Sequence, residues 1–229
     1  MGKPIFIAHL RSRLPFTYNK HLINNNDTHM QKSFDKLLTG YQAFRKKYAA
    51  GDESTMKKLA CDGQHPDTMI VACSDSRVDP SIIFQADPGD IFMVRNVANI
   101  IPPFENDESH HGTSAALEFG ICHLKVKHLI ILGHSQCGGI QALIENSDKT
   151  KNDFIDNWVS IIKKNKCDSS DPLTVTKLAL TQSHQNAMTF PWIKSRIDNH
   201  LLEIHLMYFD IEHGQLFAVD ADTLETKIL

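Results

Sequence analysis

Cys73, His134 and Cys137 are the residues of this chain whose types and settings could do chemistry together. The apolar run Met69-Ile70-Val71-Ala72 leads into Cys73-Ser74-Asp75-Ser76-Arg77, and Leu129-Ile130-Ile131-Leu132-Gly133 leads into His134-Ser135-Gln136-Cys137-Gly138-Gly139. Both runs read as buried strands. In an open parallel sheet, ligands and chemistry collect at the carboxyl ends of the strands, so the two thiols and the imidazole can converge on one metal. Two sulfurs and one nitrogen form a soft donor set that favours zinc, and three ligands leave a fourth position open.

The flanking residues strengthen this reading. Gly138-Gly139 lets backbone come close to a bound atom. Asp75 and Arg77 follow Cys73 at two-residue steps, so on extended chain they point the same way and can pair beside the thiolate. An Asp held by Arg stays ionised at neutral pH, because the cation favours its charged form. On spacing alone, a plain ion pair at a strand end explains Asp75 and Arg77 equally well.

The elements that must position these groups follow from pattern. Asp79-Pro80 starts a helix, since Asp caps free amides and Pro suits the first helical position. Pro88-Gly89 is a turn, and Ile91 to Val94 is a further buried strand ending at Arg95-Asn96. A helix is expected from about Gly112 to Leu124, another from Ile140 to Glu145, helical spacing over Phe154 to Lys164, and an Asp171-Pro172 start to a helix running from Leu173 to about Thr189, with Pro191 as its break. Leu202 to Phe209 and Leu216 to Val219 flank His213-Gly214 and suggest a strand pair. Strands alternating with helices over long connections predict an α/β fold with a parallel sheet and helices on its faces.

The N-terminal part is different. Residues 1–29 are basic and acid-poor, with Asn24-Asn25-Asn26 a poor element former, and are expected to be a mobile arm, a candidate non-native extension with Met30 as an alternative start. From Gln31, Phe34, Leu37, Leu38, Tyr41, Phe44 and Tyr48 have the spacing of a helix with one apolar face, stopped by Gly51. That face packs either on a partner subunit or on its own domain. Residues 30–229 are expected to form one domain, for which 229 residues at 41% hydrophobic content suffice.

Composition sets limits. The formal net charge is -3 and no long basic run occurs, so neither nucleic acid nor an anionic membrane surface is an evident partner. No apolar stretch approaches the roughly 20 residues that span a bilayer. Five cysteines, too few and too scattered for a disulfide framework, fit a reducing compartment, here taken as the cytoplasm; Cys61, Cys122 and Cys167 read as ordinary thiols.

Cys-Ser-Asp-Ser-Arg followed by Gly-His-Ser-Gln-Cys-Gly-Gly resembles the β-class carbonic anhydrases, zinc enzymes that interconvert carbon dioxide and bicarbonate. The resemblance runs from about Leu38 to Asp220 and includes Arg95-Asn96-Val97-Ala98-Asn99 and Gly112-Thr113-Ser114-Ala115-Ala116-Leu117-Glu118. It implies a central four-stranded parallel sheet extended by an antiparallel strand, and a homodimer or tetramer with the site at the subunit interface. It assigns Cys73, His134 and Cys137 as ligands of one zinc per subunit. Asp75 with Arg77 then orients a zinc-bound hydroxide that attacks carbon dioxide. Gln64 corresponds to a glutamine that donates to a substrate oxygen, and Phe92, Val97, Phe119 and the Gly138 amide correspond to the substrate pocket. On periodicity alone these four are core residues. His123 matches a proposed proton shuttle, although Phe119 replaces the tyrosine expected beside it. Arg95 survives from an inhibitory bicarbonate site of some bacterial members, but Ile70 stands at its Trp position, and the late His-Gly-Trp pattern is His205-Leu206-Met207. An open, plant-type site is therefore expected.

Two other classes compete. A structural zinc protein would want a fourth protein ligand, and the sequence offers no good one. A redox dithiol protein would want a Cys-x-x-Cys, which is absent. Hydrolysis of carbon disulfide or carbonyl sulfide, known on the same scaffold, stays open within the enzyme class.

Overall fold

The computed structural model describes residues 25–107, 109–145, 154–162 and 169–229. The chain divides into two units, residues 1–54 and 55–229. The first contains α1 (Asn25–Phe44), closed by a π turn over Arg45–Ala49. The helix begins ahead of the expected Gln31: Asn25, poor former though it is, is helical, because single-residue propensity is a weak determinant against a longer run. The rest of the expected mobile arm lies outside the described residues. Phe34, Leu37, Leu38 and Tyr41 are exposed.

The larger unit runs α2 (Thr55–Asp62), β1 (Thr68–Cys73), α3 (Pro80–Ile83), β2 (Ile91–Asn96), α4 (Gly112–Glu118), β3 (His128–His134), α5 (Gly138–Glu145), α6 (Ile155–Val159), α7 (Pro172–Ala187), α8 (Pro191–Asp198), β4 (Glu203–Asp210), β5 (Gln215–Val219) and β6 (Thr226–Ile228). Among the described residues the strands form one sheet of order β2-β1-β3-β4-β5-β6. The first four are parallel neighbours, and β5 and β6 add antiparallel. The expected single antiparallel extension is thus two strands, because the chain turns once more after Val219.

Strand alternation divides the core. Met69, Val71, Leu129 and Ile131 project to one face and pack with Leu117, Ile121, Leu180, Phe190 and Ile193 of the helices. Ile70, Ala72 and Leu132 project to the other, with Ile130 and Met207 beside them. α7 lies close on β3 at Gly133, where an added Cβ would meet Thr176 Cγ2 at 3.1 Å.

Both Asp-Pro starts form as expected. Asp79 accepts from the Ser81 amide and Asp171 from the Thr174 amide, each with proline at the first helical position. Pro191 opens α8 after α7 has ended. α4 continues into a π turn over Phe119–His123. The expected helical spacing from Phe154 is realised over Ile155–Val159, while residues 163–164 of that stretch, and Cys167, lie outside the described residues.

Candidate metal centre

Cys73 is the last residue of β1 and His134 the last of β3, so the parallel register brings both to the carboxyl edge of the sheet. Cys137 precedes α5 after a sharp reversal in which Gln136 takes a left-handed φ of 56°. All three side chains are buried, and their donor atoms lie within 4.8 Å of one another. Among the described residues no further His, Cys, Asp or Glu joins this group.

The donors fit a tetrahedral zinc. Two sulfurs bound to one zinc at about 2.3 Å each stand about 3.8 Å apart; Cys73 Sγ and Cys137 Sγ are separated by 3.9 Å. His134 donates from Nδ1 to the Ser135 carbonyl at 2.8 Å, which fixes the tautomer and leaves Nε2 as a bare lone pair. Nε2 is buried and, among the described residues, has no hydrogen-bond partner. A buried acceptor without a partner is costly, and a metal ion in this position would remove the cost.

Backbone amides prepare the sulfurs. Those of Asp75 and Ala98 point at Cys73, and those of Gly139 and Ile140 at Cys137. The hydrogen bond from Cys137 holds the Cys73 thiol well below its ordinary range although burial opposes it. The same bond, with burial, pushes Cys137 up. A thiophilic ion held between them would take both sulfurs as thiolates and release their protons.

Asp75 and Arg77 form a two-point pair: Arg77 Nε donates to Asp75 Oδ1 at 3.0 Å and Nη2 to Oδ2 at 2.8 Å. The Arg77 amide adds a third bond, to Oδ1 at 2.9 Å. These bonds hold the Asp75 carboxyl well below the usual carboxylate range. Arg77 is itself braced across the site, donating to Gln136 Oε1 at 3.2 Å and to the Gln136 carbonyl at 3.1 Å.

Arg95, near the end of β2, ties this corner together. Nε donates to the Cys73 carbonyl at 2.9 Å, Nη2 to the Asp75 carbonyl at 2.7 Å, and Nη1 to Asp79 Oδ2 at 2.8 Å. An arginine ending an otherwise apolar strand was the available signal. Ser135 also escaped notice: its hydroxyl accepts from the Ile211 amide and donates to Asp210 Oδ1. Nothing in its local sequence marks it.

The pocket residues separate into two groups. Val97 and Gly138 are beside the centre: a Cβ on neighbouring Gly139 would lie 2.7 Å from Val97 Cγ1, and Gly138 is exposed with nothing near its own Cβ position. Phe92, Phe119 and His123 instead form a row: Phe119 stacks on His123 with centroids 5.4 Å apart and meets Phe92 at a tilt with centroids 5.7 Å apart. Phe92 pairs in register with Met69, about 13 Å along the strand from the Cys73 end. Gln64 is exposed in the connection between α2 and β1. The chain therefore brings Cys73, His134, Cys137, Asp75, Arg77, Val97 and Gly138 together and leaves the aromatic group elsewhere.

A mostly parallel sheet with a Cys-His-Cys donor set at the carboxyl edge of its parallel strands defines an α/β protein fitted to hold a transition-metal ion. Comparison with known proteins specifies it further. The family profile described as "Carbonic anhydrase" matches residues 68–216. β carbonic anhydrase 5, chloroplastic, of Arabidopsis thaliana is 36% identical over 199 residues; the match takes in 82% of this chain and 63% of the Arabidopsis protein's own length. The solved β-carbonic anhydrase CcaA superposes with a TM-score of 0.74 at 31% identity, over 88% of this chain and 100% of that one. One of two tetrameric β-carbonic anhydrases from Sordaria macrospora gives 0.66 at 29% identity, over 84% of this chain and 96% of that one. The chain belongs to the β-class carbonic anhydrase family.

Proposed function

We propose that the protein catalyses the reversible hydration of carbon dioxide to bicarbonate and a proton, with zinc held by Cys73, His134 and Cys137. The observation that carries this reading is the unclaimed, tautomer-fixed Nε2 of His134 between two buried sulfurs, next to a carboxylate locked by arginine. When bound, zinc supplies Lewis acidity that makes water lose a proton at moderate pH.

The side chains do the rest. Asp75, kept ionised by Arg77, is an acceptor only, so it holds the donor hydrogen of a reacting water and fixes that water's orientation. The two-point pair with Arg77 occupies one lone pair on each oxygen and opposes rotation of the carboxylate towards the metal position. Val97 presents apolar surface and the Gly138 amide a polar edge, the wall a small nonpolar molecule with oxygen ends requires.

Gln64, Phe92, Phe119 and His123 serve in this reading at the centre of a second copy. Exposure of Phe119 and His123, and the register that puts Phe92, beside Phe119, opposite Met69 rather than Cys73, support that assignment, as does the tetramer named for the Sordaria relatives. The two ligand thiols suit a reducing compartment such as the cytoplasm, which cell fractionation would test.

Stopped-flow measurement of carbon dioxide hydration by zinc-loaded protein is the direct experiment. Saturable catalysis is expected, rising towards alkaline pH, because two thiolates offset the ion's charge and weaken its acidification of water relative to the value of about 7 reached in a three-histidine site. Full zinc occupancy without hydration would remove the proposal, and an active monomer in light scattering would remove the shared site.

A further inference from the structure

The sheet carries a second group of metal-ligating side chains at its opposite edge. His128 opens β3 and Glu203 opens β4, and the two are partners in the parallel register. His205 lies two residues beyond Glu203, so alternation puts all three on one face. His128 Nδ1 and His205 Nε2 are 3.1 Å apart, and Glu203 Oε2 is 3.8 Å from each of these same atoms.

Those three distances define a triangle. The point equidistant from its corners lies about 2.1 Å from each donor, within the bond length of about 2.0–2.2 Å that imidazole nitrogen and carboxylate oxygen make to zinc. The two rings are tilted by 41° with centroids 5.2 Å apart, and the nitrogens that approach are His128 Nδ1 and His205 Nε2. The side chains are 45%, 68% and 29% exposed for His128, Glu203 and His205, which leaves room for water to complete the coordination.

We propose that His128, Glu203 and His205 form a second site for a divalent transition ion, distinct from the Cys-His-Cys centre. Without an ion, the contact between the imidazoles requires one nitrogen to donate and the other to accept. With an ion, both facing nitrogens present lone pairs, and the protons reside on His128 Nε2 and His205 Nδ1. Two neutral imidazoles and one carboxylate suit Zn2+, Ni2+ or Cu2+, and the absence of sulfur disfavours Cu(I). An ion here would clasp the first residues of β3 and β4, joining strands that are otherwise held there by backbone bonds. The site is independent of the proposed catalysis.

Cobalt distinguishes the two centres. Full-length protein stripped of metal is titrated with Co2+ and followed by absorption and by metal content per chain. The first ion should give intense thiolate-to-cobalt charge transfer. The second should add weak visible bands without further charge transfer, and should raise the melting temperature. His205→Ala and, separately, Glu203→Gln should lose the second ion and keep the first, with carbon dioxide hydration unchanged; Glu203→Gln alters only an exposed side chain, so it guards against a folding defect in the histidine variant. Saturation of the wild type at one Co2+ per chain, a second ion taken up only at millimolar cobalt, or its persistence in a folded variant would each overturn the proposal.

Discussion

His128 and His134 close opposite ends of β3. His134 is fully buried, has Nδ1 committed to a backbone carbonyl, and presents Nε2 to two buried sulfurs. His128 is partly exposed and faces another imidazole and a carboxylate that is itself largely in water. The same strand thus supports two donor clusters of opposite construction. At the carboxyl edge, burial and hydrogen bonds settle tautomer and direction before any ion arrives; at the amino edge, side-chain rotation remains available and ordering must accompany binding. A strong, committed centre is expected at the first and a weaker, reversible one at the second.

The largest break in this comparison is His134→Ala. It removes the preformed nitrogen donor, and hydration should fall to the uncatalysed background with zinc content near zero, read by stopped-flow and elemental analysis. Asp75→Asn should retain zinc yet lower kcat about 10²–10⁴-fold, since the amide no longer offers two acceptor oxygens. Retained activity would take Asp75 out of the reaction. Gly139→Ala should cost about 1–3 kcal/mol in denaturant unfolding, because the new methyl would sit 2.7 Å from Val97 Cγ1 and 2.9 Å from Ala98 Cβ.

A subtler effect concerns acid. Arg77 depresses the folded-state pKa of Asp75 below the ordinary 3.8, so its contribution to stability is present above that value and is lost as pH falls through the depressed one. Carboxyl titration by NMR should find Asp75 ionised below pH 3.8 in the wild type, and Arg77→Met should move its midpoint back up towards 3.8. The smallest expected effect is on buffer-saturated turnover in His123→Ala; no change there would drop His123 as a proton carrier.

The carboxyl-edge centre was legible in the sequence because each of its residues abuts an apolar strand run or lies within four residues of another ligand. The Asp-Pro helix starts and the β4–β5 pair were legible for similar local reasons. α2 was not, since Thr-Met-Lys-Lys-Leu-Ala-Cys-Asp has no sustained apolar face and leaves no residue buried. β6, three exposed residues long, carries no alternation to read. The role of Arg95 depends on carbonyls of β1 and the following turn, and the amino-edge cluster depends on the register between β3 and β4. Both are facts of strand pairing, which spacing along one chain does not encode.

The clamp made by Arg95 has a consequence for how metal enters. One guanidinium grips the carbonyls of Cys73 and Asp75 together with the Asp79 side chain, so thiolate and carboxylate are carried on a single braced corner of backbone. Loading such a corner orders little that is not ordered already. Zinc uptake at this edge should therefore proceed with small conformational entropy loss, more like closing a latch than folding a loop.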